Sequence, residues 1–123
     1  MRSRVSSILA GIVGLLLLST SALAHHGAES LYDVETEITV EATITEVVWA
    51  VPHVMVGIAS VDDKSASWLL EVGSPPNISN RGWTNRSLTP GDVVTVTFNP
   101  GLRGMRIGRL LKVVRPDGTE LLA

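Results

Sequence analysis

Hydrophobic and polar positions alternate along the chain from Glu35 to Trp49. Ile38, Val40, Ala42 and Ile44 fall on one face, and Glu37, Thr39, Glu41, Thr43 and Thr45 fall on the other. A period of two built largely from β-branched residues predicts a half-buried strand. The strand is long, so a bend or bulge is expected, near Val47 and Val48 where the alternation slips. Ala50-Val51-Pro52 reads as a connection, because proline cannot donate a ladder hydrogen bond. His53 to Ala59 predicts a second strand, Asp62-Asp63-Lys64 a turn, and Ser67 to Val72 a third strand. Ser74-Pro75-Pro76-Asn77 then breaks the pattern. Ser74 is placed to cap a short helix running to Arg81, with Pro75 at its first position and Gly82 at its end. Trp83 to Thr89 reads as a further irregular or helical turn, and Pro90-Gly91-Asp92 as a tight turn. Val93 to Phe98 predicts a fourth strand, Asn99 to Met105 a loop, and Ile107 to Val114 a fifth strand. Pro116-Asp117-Gly118 turns the chain into a short last strand, Thr119 to Leu122.

Three strands, one short helix, two strands and a short final strand is the order of an all-β, five- to six-stranded OB-like Greek-key barrel, with the helix between strands 3 and 4. A long first strand fits that fold, since it bends to pair with both halves of the barrel. A small open β-sandwich is the alternative architecture.

The first 24 residues follow a different pattern. Arg2 and Arg4 precede an apolar run of 11 residues from Ile8 to Leu18, and Ser19 to Ala24 is small and polar. Ala22-Leu23-Ala24 fits the small-x-small cleavage rule, so residues 1–24 read as a secretory signal peptide. The run is short for a membrane span, which needs roughly 20 apolar residues. Cleavage after Ala22 instead of Ala24 stays open. Residues 25–123 then form one small β-barrel domain, expected outside the cytoplasm.

Composition narrows the chemistry. With 45% hydrophobic and 18% charged residues and a net charge of −2, the chain is not disordered. It has no cysteine, which excludes disulfides, thiolate metal sites and a cysteine nucleophile. Charge is uneven: residues 25–73 carry nine acids and one base, residues 74–123 three acids and seven bases. Attraction between the two halves is the plain reading, and an anion-binding face on the second half the sharper one. Nucleic acid is an unfavoured partner, because residues 25–123 are acidic overall and aromatics are few.

His25-His26-Gly27 with Tyr32-Asp33, Trp49-Ala50-Val51-Pro52-His53, Trp68 and Glu71, Ser74-Pro75, Gly82-Trp83-Thr84, Leu88-Thr89-Pro90-Gly91-Asp92, Pro100 and Gly104 together carry a resemblance. Over residues 25–123 the chain resembles the domain-of-unknown-function family numbered 6152, small secreted bacterial proteins whose mature chains often start near a His-His pair. The family usually has Asn-Pro-His where this chain has Val51-Pro52-His53, and often has Ser where this chain has Gly27. The resemblance implies a bacterial, extracytoplasmic protein, periplasmic or secreted, and supplies no activity.

Histidine placement is the one chemically pointed feature. His25, His26 and His53 are the three histidines of the chain. If cleavage follows Ala24, His25 bears a free α-amine that can chelate a metal together with its own imidazole. His53 or His26 would add a second imidazole, and Cu(II) favours such a nitrogen-rich, roughly planar set. Cleavage after Ala22 makes His25 the third residue, an arrangement that also binds Cu(II) or Ni(II). Zinc suits three histidines less well, since the site would stay open. Tyr32, Asp33 and Met55 are further donors that the sequence does not place near His53.

Other features read as structure. Trp49, Trp68 and Trp83 are expected in the barrel core or rim. Arg103, Arg106 and Arg109 recur every three residues, which on a strand alternates faces, so they do not make one stripe. Glu35, Glu37 and Glu41 read as a solvated strand face. Asn77-Ile78-Ser79 and Asn85-Arg86-Ser87 match the glycosylation acceptor pattern, a chance match in a bacterial protein. No nucleophile with its base and orienting group can be assembled, so the reading leans away from an enzyme. The expected function is therefore an extracytoplasmic non-enzymatic binding protein, with copper as the ligand held by His25, His26 and His53. The alternative is a metal-independent adaptor module whose barrel face takes a peptide, a glycan or an envelope protein.

Overall fold

The computed structural model of the chain describes residues 31–123. The expected signal peptide, His25 and His26 lie outside the described residues. Six strands form in sequence: β1 Ile38–Val48, β2 Met55–Ser60, β3 Ser67–Glu71, β4 Val93–Pro100, β5 Ile107–Val114 and β6 Glu120–Leu122. One short helix, α1 Pro75–Ser79, lies between β3 and β4, and a 3-10 turn at Leu102–Gly104 joins β4 to β5.

The first half of β1 pairs antiparallel with β4, from Ile38 opposite Phe98 to Thr43 opposite Val93. Its second half pairs antiparallel with β2, from Ala42 opposite Ser60 to Val48 opposite Met55. β2 pairs with β3, β4 with β5, and β6 adds to the far part of β5. A short parallel pairing of β3 with β5, Leu69–Glu71 against Ile107–Arg109, closes the ring. Five strands thus make a closed barrel and β6 is an extra strand, the OB-like arrangement expected from the element order. Closure gives each of the five barrel strands partners on both sides over part of its length, which limits the hazard of edge-to-edge aggregation there.

The bulge in β1 falls earlier than the alternation implied. The register shifts between Ile44 and Glu46, so that Thr45 and Glu46 are both exposed before Val47 turns back toward the core. The extra residue steepens the local twist and lets one strand serve both halves of the barrel. Across from it lies Gly57. A Cβ built there would meet Thr45 Oγ1 at 2.6 Å and Glu46 Cγ at 2.8 Å, so any larger residue would force both exposed side chains of the bulge to move.

The core is the inward set of each strand. Phe98, Ile44, Ile58, Leu70, Val54, Val56, Val96 and Val113 are fully buried, and Ile78 of α1 joins them. Burying each large apolar side chain favours the fold by about 1.5–3 kcal/mol before chain entropy is counted. α1 is shorter than expected. Ser74 occupies the N-cap position but makes no side-chain cap hydrogen bond, and the helix ends at Ser79. Gly82, at φ +89°, then takes a left-handed conformation, and Trp83 N–H returns to the Ile78 carbonyl at 3.1 Å. That reversal buries Trp83, whose Nε1 donates to the Leu122 carbonyl at 2.8 Å and so ties β6 to the body of the barrel. Trp49 and Trp68 are partly buried against the core, with the Trp68 and Phe98 ring centroids 5.6 Å apart. Among the described residues no helix is long and apolar enough to cross a membrane.

Candidate functional site

β2 and β3 set the positions. Val54 is fully buried and is locked on both sides: its N–H donates to the Gly73 carbonyl and its carbonyl accepts from Val72 N–H. Alternation about Val54 turns its neighbours His53 and Met55 outward. Met55 stands opposite Glu71 in the register, so Glu71 shares that outer face. His53 follows a cis Val51–Pro52 peptide in the connection from β1.

A third element completes the cluster. Tyr32 forms an isolated bridge with Gly101, and Asp33 N–H donates to the Pro100 carbonyl at 2.9 Å. The start of the described chain is thereby held along the outside of the barrel beside the β4–β5 loop. Tyr32 is 5% exposed and its hydroxyl donates to Glu71 Oε2 at 2.7 Å. The other carboxylate oxygen, Oε1, stands 3.1 Å from His53 Nδ1. One carboxylate therefore bridges a buried phenol and an imidazole whose side chain is 45% exposed.

The electrostatics follow from this geometry. Burial pushes the Tyr32 phenol well above its ordinary range; the hydrogen bond to Glu71 and the charge of Glu71 act in the same direction, and Arg109 opposes them. The phenol thus stays a protonated donor and spends itself on Glu71. A carboxylate facing Nδ1 favours the tautomer with its hydrogen on that nitrogen, leaving the Nε2 lone pair for a ligand. A metal-ligating histidine usually has this support behind it.

Of the residues singled out in the sequence, His53 is thus placed on a defined surface, while His25 and His26 lie outside the described residues. Met55 lies in the row of Glu71. Asp33 is engaged locally: its Oδ1 accepts from Glu35 N–H and its Oδ2 from the Thr36 hydroxyl. Among the described residues no group of three or more His, Cys, Asp or Glu converges on one point. Tyr32 and Glu71 are among the residues that carry the family resemblance, but their packing against each other was not legible in the sequence. Their contact spans 39 positions and no local pattern signals it. The available hint was an acid at the outward end of an otherwise apolar strand. Arg103, Arg106 and Arg109 do separate, but not by strand alternation, since only Arg109 lies on a strand. Arg103 sits in the 3-10 turn, Arg106 lies over the Trp68 ring at 5.4 Å, and Arg109 is beside Glu71 on β5.

The fold and this cluster define a small OB-like β-barrel that carries a Tyr–Glu–His chain on its outer face. The model of a family described as "Family of unknown function (DUF6152)" matches residues 13–110, and the chain belongs to that family. No curated protein and no solved structure matches it.

Proposed function

We propose that the protein is an extracytoplasmic, non-enzymatic binding protein for Cu(II), with His53 as the ligand contributed by the barrel and His25 and His26 as those contributed by the mature N-terminus. The observation that supports this reading is the 3.1 Å approach of Glu71 to His53 Nδ1, which backs an exposed imidazole from the side a metal does not need. The His25 amine and ring make a chelate by themselves, and a third nitrogen suits Cu(II) better than harder ions. Chain length permits His53 to be that third ligand. Six peptide steps lead from His26 to Tyr32, a reach of up to roughly 20 Å. The signal-like first 24 residues support export to a compartment where copper is accessible.

The test is Cu(II) titration of the protein beginning at His25, followed by electron paramagnetic resonance. A version with one extra residue before His25 and a His53→Ala variant are run beside it. The expected result is a tight type-2 nitrogen signature, with affinity lowered at least about tenfold in each altered form. Binding that ignores both changes would overturn the reading. A second reading, an adaptor module for a peptide, glycan or envelope protein, is favoured by the exposed apolar side chains Val48, Val51 and Leu69 around the same face. Under it, His53→Ala leaves partner binding intact while Leu69→Asp abolishes it.

A further inference from the structure

The entry to β2 carries two donor side chains on one face. His53 and Met55 flank the fully buried Val54, so both turn outward. The hydrogen bonds of Val54 to Gly73 and Val72 carry the β2–β3 ladder back past Met55. Residues two apart along such a ladder stand roughly 6.5–7 Å from each other at Cα. An imidazole and a flexible thioether can meet at one point across that gap. The His53 side chain is 45% exposed and Met55 is half-buried, so an ion can approach both from solvent.

The neighbours of Met55 leave these two as the donor set. On β3, Glu71 stands opposite Met55, but its Oε2 accepts from the Tyr32 hydroxyl and its Oε1 faces His53 Nδ1. On β1, the residue opposite Met55 is Val48, which is exposed and apolar. Nδ1 of His53 is turned to the carboxylate, so Nε2 is the nitrogen left for a metal. The set is therefore one imidazole nitrogen and one thioether sulfur, with a carboxylate behind the imidazole and an apolar flank beside the sulfur.

That composition discriminates among ions. Hard ions such as Mg(II) and Ca(II) take oxygen donors, whereas a thioether is soft and selects Cu(I). Cu(I) is a closed-shell ion without the planar preference of Cu(II), so it does not need the nitrogen-rich set of the mature N-terminus.

We propose that His53 Nε2 and Met55 Sδ form a Cu(I) site on the barrel itself, so that this face takes copper in its reduced state as well as its oxidised one. The inference deepens the copper reading and rests on it for His53 as a ligand, but it needs neither His25 nor His26. It concerns binding alone, with no electron transferred by the protein.

Ag(I) is the air-stable probe of the site, and Cu(I) kept reduced by ascorbate without oxygen is the ion itself. The protein beginning at His25 contains two methionines, Met55 and Met105, and is labelled at their ε-methyl carbons. Ag(I) is expected to shift Met55 and to leave Met105, which is 38% exposed, in place. Cu(I) affinity, read by competition with bicinchoninate, is expected to fall at least about tenfold in Met55→Leu and in His53→Ala. Leucine replaces methionine at nearly equal volume, so the fold is kept, and the Cu(II) affinity of Met55→Leu should stay within about twofold of the parent's. One extra residue before His25 should leave Cu(I) affinity unchanged. The proposal is overturned if Met105 shifts as far as Met55, if Met55→Leu keeps the parent's Cu(I) affinity, or if that variant weakens Cu(I) and Cu(II) alike. Cu(II) binding that ignores the extra residue, with Cu(I) binding still lost in Met55→Leu, would overturn the terminal chelate and leave the barrel site standing.

Discussion

Tyr32 is the one tyrosine of the chain, so its ionisation can be followed by phenolate absorbance without overlap from another phenol. Its folded value is raised above the ordinary 10.0, chiefly by burial and then by the Glu71 hydrogen bond. A raised folded value means that its contribution to stability is fully present below about pH 10 and is lost as pH climbs through the folded value. The expected titration of the native protein therefore begins well above pH 10, and denaturant returns the midpoint to about 10. Glu71→Gln keeps an acceptor but removes the charge, so the native midpoint should fall part of the way. A native midpoint at or below the ordinary value would show that the phenol is not buried against Glu71. His53 could be singled out in the sequence because imidazole is rare here and carries its own chemistry. Glu71 stood out only within the family resemblance and not as a site residue, because its importance lies in whom it meets.

At the scale of elements, β5 shows what close packing demands. Gly108 stands opposite Leu70 on one side and Pro100 on the other. A Cβ there would lie 2.5 Å from Phe98 Cδ2 and 2.7 Å from Leu70 Cδ2, both on fully buried side chains. Gly108→Ala is therefore expected to cost about 1–3 kcal/mol through overpacking. For a domain of this size that lowers the melting temperature by roughly 4–8 °C per kcal/mol. An unchanged melting curve would mean that the β3–β5 closure is looser than the geometry shows. The limits of β5 agree with the apolar stretch that starts at Ile107, but its alternation slips at Leu111, where the register against β4 shifts and the buried positions pass from Gly108 and Leu110 to Val113. The bulge of β1 does not sit where the pattern slips to the eye. Val47 and Val48 are both apolar, and the choice of which faces inward is made by pairing with β2, whose Val56 and Met55 stand opposite them.

The whole molecule depends on a core that is adequate but small, with no disulfide to reinforce it. Phe98 is its largest fully buried side chain, in contact range of the Trp68 ring and of the backbone at Gly108. Phe98→Ala is expected to cost about 3–5 kcal/mol, a large share of the marginal stability of a single domain. Urea unfolding followed by tryptophan fluorescence should show a lower midpoint at similar slope. A loss below about 1 kcal/mol would place Phe98 outside the cooperative core.

Element type and order were decided by the sequence itself, because they rest on periodicity and on proline and glycine, which act locally. The alternation from Ile38, the break at Ser74-Pro75-Pro76 and the turn at Pro116-Asp117-Gly118 already imply three strands, a helix, two strands and a last short one. Element order favoured a barrel over a small open β-sandwich but could not place the seam of that barrel. Only the tertiary structure set Glu71 between Tyr32 and His53, and set Arg109 beside a carboxylate that is already occupied. Those contacts join positions dozens of residues apart, and side-chain chemistry at such range is fixed by where the strands cross. A local pattern carries no record of that crossing.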